Sequence, residues 1–315
     1  MTTVLDKFAD EIGPSGPVCA VGGRTQWDVG GLPDPGTREV SAPAGVVEHI
    51  PAEMIVRARA GTRLDELDAV LAERGQRVAL EGPGEATVGG LIAVGRSGVR
   101  RLGLGPVRDA VLEVTAVSSR GELIRSGAPL VKNVTGFDLT RLFTGSLGTL
   151  ALMAEVVLRC TPRPELERWY VRECDDPFRV FAQLFRPVSV LWDGRQTWVC
   201  LGGFEVDVEE QAARVLGDGF VAADAPPAVP TEARRSLAPA ELRELPSRVG
   251  RAGMWVCEVG VGVVHCDESA SGLLGPVPPP SAEVIGLHRR IKQNFDPTGR
   301  LNPGRQVLPV ERVAV

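Results

Sequence analysis

Aromatic residues are scarce in this chain, at 5%, with a single tyrosine, Tyr170. Its cores must therefore lean on Val, Leu, Ala and Ile. None of the six cysteines (Cys19, Cys160, Cys174, Cys200, Cys257 and Cys266) forms a CxxC pair. That argues against paired zinc ligands or an iron–sulfur cluster held by this chain. Positive charge is not in surplus either. A formal net charge of -5 and a pI near 5.5 leave no broad basic surface for neutralising phosphates, so no nucleic-acid partner is expected. No stretch approaches the roughly 20 apolar residues that span a bilayer. The amino terminus lacks a basic region followed by an apolar run, so a secretory signal is not expected. These absences point to a cytoplasmic protein with reduced thiols and no membrane span.

What is present is an ordinary globular composition, 43% hydrophobic and 24% charged over 315 residues, enough for two domains. Val18 to Val21 is a short apolar strand running into Gly22 and Gly23. Met54 to Ala60 alternates, with Met54, Val56, Ala58 and Ala60 on one face and Arg57 and Arg59 on the other, as in a half-buried strand. A helix follows, with Thr62 and Asp65 as a capping-box-like start, an apolar stripe of Leu64, Leu67, Val70 and Leu71, and Gly75 as the stop. Strands are expected at Val78 to Leu80, at Ala110 to Val117 paired with Glu122 to Arg125 in a hairpin, and at Leu150 to Leu158. Pro162 and Pro164 mark a domain boundary.

Beyond that boundary the pattern is βαββαβ. Trp169 to Arg172, Ser189 to Trp192 and Thr197 to Phe204 read as strands, and Phe178 to Phe185 and Val208 to Leu216 as helices. Ala222 to Pro246, rich in Ala and Pro, reads as a loosely ordered connection, and Met254 to Val264 as one closing strand. This order fits a ferredoxin-like sheet with helices on one face. A last helix, Ala282 to Phe295, precedes a turn-rich polar tail.

Glycine is abundant, at 37 residues, and is concentrated in three segments: Val21 to Gln26, Gly82 to Asp109, and Asn133 to Val156. Glycine lets a ligand approach the backbone without a Cβ in the way, and successive N–H groups form concave anion sites. A pyrophosphate is the natural occupant. One such loop alone is more often a plain turn; three in order carry more weight. The chain has no GxxxxGK[ST] phosphate loop and no GxGxxG dinucleotide fingerprint.

Taken in order, "VGGRTQ", "GPGEATVGGLIAVGRSG", "GPVRDAVLEVTAVSSRGELIRSG", "KNVTGFDLTRLFTGSLGTLALMAEVVLRCTPRP" and the closing "FDPTGRLNPGR" resemble the FAD-binding domain of the vanillyl-alcohol oxidase / p-cresol methylhydroxylase (PCMH-type) superfamily. Within it they are most similar to FAD-binding subunits of the glycolate-oxidase type. The resemblance covers the first half almost continuously and returns in the tail. It implies an α+β architecture: a two-part PCMH-type FAD-binding domain over residues 1–163 and a small ferredoxin-like cap over 164–280. A carboxy-terminal helix and tail, residues 281–315, return toward the FAD site.

The resemblance also implies roles for matching positions. Gly22, Gly23, Arg24, Thr25 and Gln26 would wrap the FAD pyrophosphate. Pro83, Gly84, Ala86, Thr87, Gly89 and Gly90 would line the middle of the cofactor and its isoalloxazine side. Ser97, Gly98, Val107 and Arg108 would complete a second wall. Gly136, Asp138, Thr149 and Val156 would fall along a third strip. No histidine precedes His49, so non-covalent FAD is expected in place of the histidine tether common in this fold. Related hydroxy-acid dehydrogenases carry a histidine-rich metal motif in the cap; here the corresponding stretch, "VGVGVVHCDES", holds His265 almost alone, and no metal is expected. A buried strand end is the favoured reading of His265, and a solvated helix face that of His288. No catalytic residue is named; Arg100 and Arg108 are candidates for binding a carboxylate.

The implied function is an FAD-binding subunit that oxidises a small hydroxy acid. It would pass electrons to a second flavin subunit and an iron–sulfur subunit, in the cytoplasm or peripherally at the inner membrane through those partners. A self-contained flavin oxidoreductase for another alcohol or hydroxy acid, and a non-catalytic assembly subunit, are the alternatives.

Overall fold

A computed structural model describes residues 2–128, 139–174 and 176–308. They fall into two compact units. The first comprises Met1–Gly98, Pro106–Pro162 and Pro279–Val315; the second comprises Val99–Gly105 and Arg163–Pro278.

In the first unit β1 (Val18–Val21) and β2 (Arg38–Ser41) pair in parallel. An antiparallel sheet holds β3 (Val46–Ile50), β4 (Ile55–Arg59), β5 (Gln76–Val78), β6 (Val111–Val117), β7 (Leu123–Gly127) and β8 (Leu152–Pro162). Its order is β3-β4-β8-β6-β7, with β5 pairing the far end of β8. β8 runs eleven residues, longer than its sequence suggests, because Cys160 to Pro162 gain partners in β5. Its first seven residues, Leu152 to Leu158, are all buried, and so is Cys160 beyond the half-buried Arg159, as befits a strand covered on both faces. Val56 and Ala58 of β4 are fully buried, as the alternation predicts. The opposite face is not simply solvated, since Arg57 Nη1 donates to Glu113 (2.8 Å) on β6 and Glu155 (3.0 Å) on β8.

The helix after β4 starts at Leu64, and Thr62 does not cap it. Thr62 is fully buried and its hydroxyl accepts from Gly45 N (2.9 Å), while Asp65 pairs with Arg63. The free amides of the first turn find other acceptors: Leu64 N donates to Ala86 O (2.8 Å) and Asp65 N to Gly84 O (3.1 Å). Carbonyls from a distant loop do here what a side chain does in a capping box.

The second unit is one antiparallel sheet in the order β12-β9-β11-β10-β14-β15-β13. Its strands are β9 (Leu166–Glu173), β10 (Ser189–Trp192), β11 (Gln196–Gly203), β12 (Val221–Ala223), β13 (Ala233–Ser236), β14 (Trp255–Glu258) and β15 (Val263–Cys266). Two features correct the sequence reading. The closing strand expected over Met254 to Val264 is a hairpin, β14 and β15, because Gly260 and Gly262 take φ of 84° and 85° and turn the chain back. The Ala- and Pro-rich stretch is ordered as β12, β13 and a helix, Pro239–Arg248, which buries Leu242 and Leu245. Pro239 at the first helical position has no N–H to leave unsatisfied, so it starts the helix instead of breaking it. The helix expected over Phe178 to Phe185 ends earlier, spanning Pro177–Gln183.

The segment 99–105 leaves the first unit to pack on the second, where Ser189 Oγ donates to Val99 O (2.7 Å) and Gly103 N to Val188 O (3.0 Å).

Five of the six thiols are buried and Cys174 is half-exposed. Burial raises the Cys160 pKa to about 11 and that of Cys257 further still. Less thiolate at a given pH means slower alkylation. Iodoacetamide at pH 8 is expected to label Cys174 first, with Cys160 and Cys257 reacting only after denaturation. Mass spectrometry of the alkylated peptides reads this directly, and early labelling of Cys257 would contradict its placement in the core.

Candidate functional site

The site lies within the first unit, where β1 opens into the loop Gly22–Gln26. That loop presses against the segment that enters the short helix Val88–Val94. A Cβ on Gly22 would stand 2.1 Å from Thr87 Oγ1, and one on Gly23 2.1 Å from Glu85 O. These glycines are therefore required by contact between the two loops; they do more than keep a ligand's path clear. Gly89 is similar, since a Cβ there would meet Ala60 Cβ at 2.6 Å. Thr87 caps the helix, its hydroxyl accepting from Gly90 N at 3.3 Å.

A cleft opens between these loops, lined by Gly22 to Trp27, Thr87, Gly90, Ala93, Val94, Leu147, Asn302 and Arg305. Its inner extension is lined by Ala60, Gly61 and Gly89. Past Val94 and Leu147 it continues into a cavity of about 450 Å3 bordered by Val29, Gly30, Gly31, Arg96 and Gly145. The cleft's charge is positive. The guanidinium groups of Arg24 and Arg305 lie 4.4 and 4.5 Å from the centre of the Trp27 ring. Arg24 is paired with Glu39. Arg305 Nη1 donates to the carbonyls of Trp27 (2.6 Å), Val29 (2.8 Å) and Gly31 (2.9 Å), which ties the carboxy-terminal tail to the first loop. Burial holds the Arg305 pKa below its ordinary value, a cost that an anion in the cleft would relieve.

Two buried amide oxygens, Gln26 Oε1 and Asn302 Oδ1, have no hydrogen-bond partner among the described residues. Asn302 is 7% exposed and its amide donates to Leu147 O. Arg24, Leu147 and Asn302 all take left-handed φ, at 55°, 54° and 44°, and all three line the cleft. Non-glycine residues pay for that conformation, and such strain collects at ligand sites. Waiting acceptors, cations and glycine walls together fit a dinucleotide: its hydroxyls donate and its diphosphate carries the negative charge.

The residues singled out by sequence divide into groups. Gly22, Gly23, Arg24, Thr25, Gln26, Thr87 and Gly90 meet in the cleft, and Gly89 lines its inner extension. Pro83, Gly84 and Ala86 lie behind it: Ala86 is in the core, and the carbonyls of Gly84 and Ala86 receive the helix amides described above. Ser97 is buried and its hydroxyl accepts from Val107 N (3.1 Å), closing the base of the 99–105 excursion; Val107 itself is core. A Cβ on Gly98 would strike Glu81. Arg108 is exposed, with Asp109 4.0 Å away. Thr149 is buried, donates to Ser146 O (2.7 Å) and lines an adjoining cavity of about 920 Å3 beside the last helix, as does His288. Val156 is 1% exposed in the middle of β8, between Ala58 and Val114. Gly136 and Asp138 lie outside the described residues. The lining residues Trp27, Val94, Arg96, Leu147, Asn302 and Arg305 escaped notice. The tail's "LNPGR" carried the available signal for two of them.

Of the arginines considered for a carboxylate, Arg100 belongs to the second unit, donating to Glu167 (2.7 Å) beside Trp169. His265 is more than a strand end. Its Nε2 lies 2.8 Å from Oε1 of Glu258, a carboxylate only 1% exposed in the same sheet. Among the described residues no three His, Cys, Asp or Glu side chains are grouped to hold a metal ion, and no helix is long and apolar enough to cross a membrane.

Residues 15–127 match the model of an FAD binding domain. Those residues form an FAD-binding domain, and FAD is the cofactor it indicates. Along its whole length the chain is similar to glycolate oxidase subunit GlcE of Escherichia coli, 28% identical over 336 residues and 96% of each protein. Glycolate oxidase subunit GlcD of Bacillus subtilis is 42% identical over 83 residues, which span 26% of this chain and 18% of that protein. A D-lactate dehydrogenase of Archaeoglobus fulgidus is 34% identical over 159 residues, 50% of this chain and 35% of that one. The fold is that of a solved alkyldihydroxyacetonephosphate synthase, with a TM-score of 0.69 and 14% identity over 95% of this chain and 73% of the other.

Proposed function

We propose that this chain is the FAD-binding subunit of a glycolate-oxidase-like dehydrogenase that oxidises a small 2-hydroxy acid and passes the electrons to partner subunits. The observation that carries the reading is similarity to a glycolate oxidase subunit over 96% of both chains, in a protein whose glycine-walled, cationic cleft fits FAD. Bound FAD supplies a two-electron acceptor for the hydrogen on the substrate's hydroxyl-bearing carbon.

The chain's own residues would hold and orient that cofactor. Gly22 to Gln26 would lie along the diphosphate, with Arg24 and Arg305 offsetting its charge. Gln26 and Asn302 would accept from its hydroxyls. Trp27, Thr25 and Gln26 provide no histidine for a covalent tether, so the FAD is held non-covalently. The second unit would serve as a ferredoxin-like substrate domain. With no CxxC motif in the sequence, onward transfer would go to a second flavin subunit and an iron–sulfur subunit, in the cytoplasm or at the inner membrane through them.

The test is the visible spectrum of the purified protein, followed by acid or heat denaturation and anaerobic addition of glycolate or D-lactate. The expected result is a yellow protein that releases free FAD on denaturation and is bleached by a hydroxy acid. A protein that is colourless and takes up no added FAD would sink the cofactor assignment for this chain. A flavin that bleaches only when partner subunits are added would point to an assembly role. Rapid turnover by the isolated chain with a soluble dye would favour a self-contained oxidoreductase.

Asn302 offers a narrower check. Asn302→Gly removes the waiting acceptor while suiting the left-handed backbone, and is expected to weaken FAD about tenfold, the value of one hydrogen bond to a buried acceptor. Asn302→Asp keeps an acceptor oxygen but loses the amide donor to Leu147 O and sets a negative charge in a cleft meant for a diphosphate, so it should bind FAD more weakly than the glycine variant in a flavin fluorescence titration. Equal affinities for the two would remove Asn302 from the site.

A further inference from the structure

The 450 Å3 cavity that continues the cleft holds a cation with nothing to do. Arg96 follows Gly95, whose left-handed φ of 67° ends the helix Val88–Val94 and turns the chain toward this space. The neighbourhood is rigid: Gly145 N donates to Ile92 O (3.0 Å) and Leu147 N to Ala93 O (2.9 Å), binding the 144–147 loop to the helix end. Arg96 is half-buried, yet it makes no hydrogen bond and no ion pair among the described residues. Burial presses its pKa below the ordinary value, and Asp28, the one carboxylate acting on it, offsets this only in part. Other arginines of the chain are committed: Arg57 to two glutamates, Arg300 to four carbonyls, Arg305 to three.

A half-buried guanidinium without a partner is costly, and the cost is recovered when an anion arrives. Gly31 and Gly145 border the open space, with Val29, Val94 and Leu147 as its apolar wall, so a small molecule can approach the fork; the bare side of Gly30 is closed by Leu147 and Gln306. A guanidinium's parallel N–H groups match the two oxygens of a carboxylate. The cations suited to the FAD diphosphate, Arg24 and Arg305, stand in the other part of the cleft with Gly22 to Gln26.

We infer that Arg96 is the carboxylate anchor for the organic acid this protein acts on, seated in the cavity formed by Gly30, Gly31, Gly145 and Arg96. The inference rests on the hydroxy-acid reading above and adds the residue that would select an acid over a neutral alcohol.

The experiment uses the full chain loaded with FAD and the probe 2-hydroxy-2-methylpropanoate, which has no hydrogen on C2 and so binds without being oxidised. Binding is followed by the change in the flavin absorption spectrum, and FAD and ADP affinities are measured separately on the FAD-free chain. Arg96→Gln should leave the melting temperature and the FAD and ADP affinities within about threefold and weaken the probe about 30-fold, the worth of a charge-assisted hydrogen-bond pair. Arg96→Lys keeps the charge without the fork and should fall between. Undiminished probe binding by Arg96→Gln would overturn the inference. So would a parallel loss of FAD and ADP affinity, which would assign Arg96 to the cofactor's diphosphate. If the unsubstituted, FAD-loaded chain fails to bind the probe at all, the hydroxy-acid reading falls first and this one with it.

Discussion

Arg300→Met is expected to lower stability by about 3–5 kcal/mol and the melting temperature by several degrees, the largest effect foreseen for any surface-remote substitution in the first unit. Arg300 is 6% exposed, and its guanidinium donates to Gly16 O (2.8 Å), Ile12 O (2.9 Å), Ser15 O (3.0 Å) and Ser119 O (3.2 Å). Methionine keeps a shorter apolar stem and leaves the carbonyls of Gly16, Ser15 and Ser119 without this donor, while Ile12 O keeps its bond from Arg38 Nη2 (2.8 Å). The backbone around it closes the chain on itself: Val18 N donates to Arg300 O, Asn302 N donates to Val18 O, and Leu301 pairs with Val18 as a parallel bridge. The neighbouring carboxylate of Asp296, 2% exposed, holds Lys292 Nζ (2.6 Å) and the amides of Arg300 and Leu301. Because Asn302 and Arg305 follow within five residues, the substitution should weaken FAD as well as the fold. Thermal melting of the FAD-free chain separates the two effects, and a melting temperature unchanged within a degree would contradict this account.

Gly23→Val is expected to abolish FAD retention. A Cβ would stand 2.1 Å from Glu85 O and 3.0 Å from its carbon, and these are backbone atoms that cannot swing aside as a side chain can. Glu85 lies between Gly84 and Ala86, whose carbonyls accept the first amides of the helix Leu64–Ala72. Displacing that segment would therefore spoil the helix start and the cleft together. The variant is expected to purify without flavin and to melt lower than the unsubstituted chain. Gly16→Ala is a suitable control, because no atom lies within 4 Å of the added Cβ and the effect is limited to the strain of its left-handed φ. Normal flavin content in Gly23→Val would show that the two loops are not packed as described.

Much of this was legible in sequence because it is local. Strand alternation in β4, the hairpin of β6 and β7, and the run of glycine loops follow from periodicity and turn chemistry over a few residues. The misread elements each depended on something remote. Thr62 would cap a helix if the 84–86 loop did not already satisfy its amides. The Ala- and Pro-rich stretch would stay loose if Leu242 and Leu245 had no sheet to bury against. Periodicity placed Arg57 on the solvent side of β4, and two glutamates from strands 56 and 98 residues further on turned it into a buried ion pair.

The same division holds for the site. By itself the sequence marked the first wall of the cleft, because closely spaced glycines on consecutive loops are a local pattern, while the cofactor was implied by resemblance to a known family. Only the tertiary structure could bring Arg305 against Trp27, 278 residues away, and Asn302 against Leu147, 155 residues away, or show Arg96 unpaired among the described residues beside an open cavity. A side chain's partners are set by packing between distant segments, and hydrogen-bond satisfaction, burial and free charge have no counterpart in the spacing of residues along the chain.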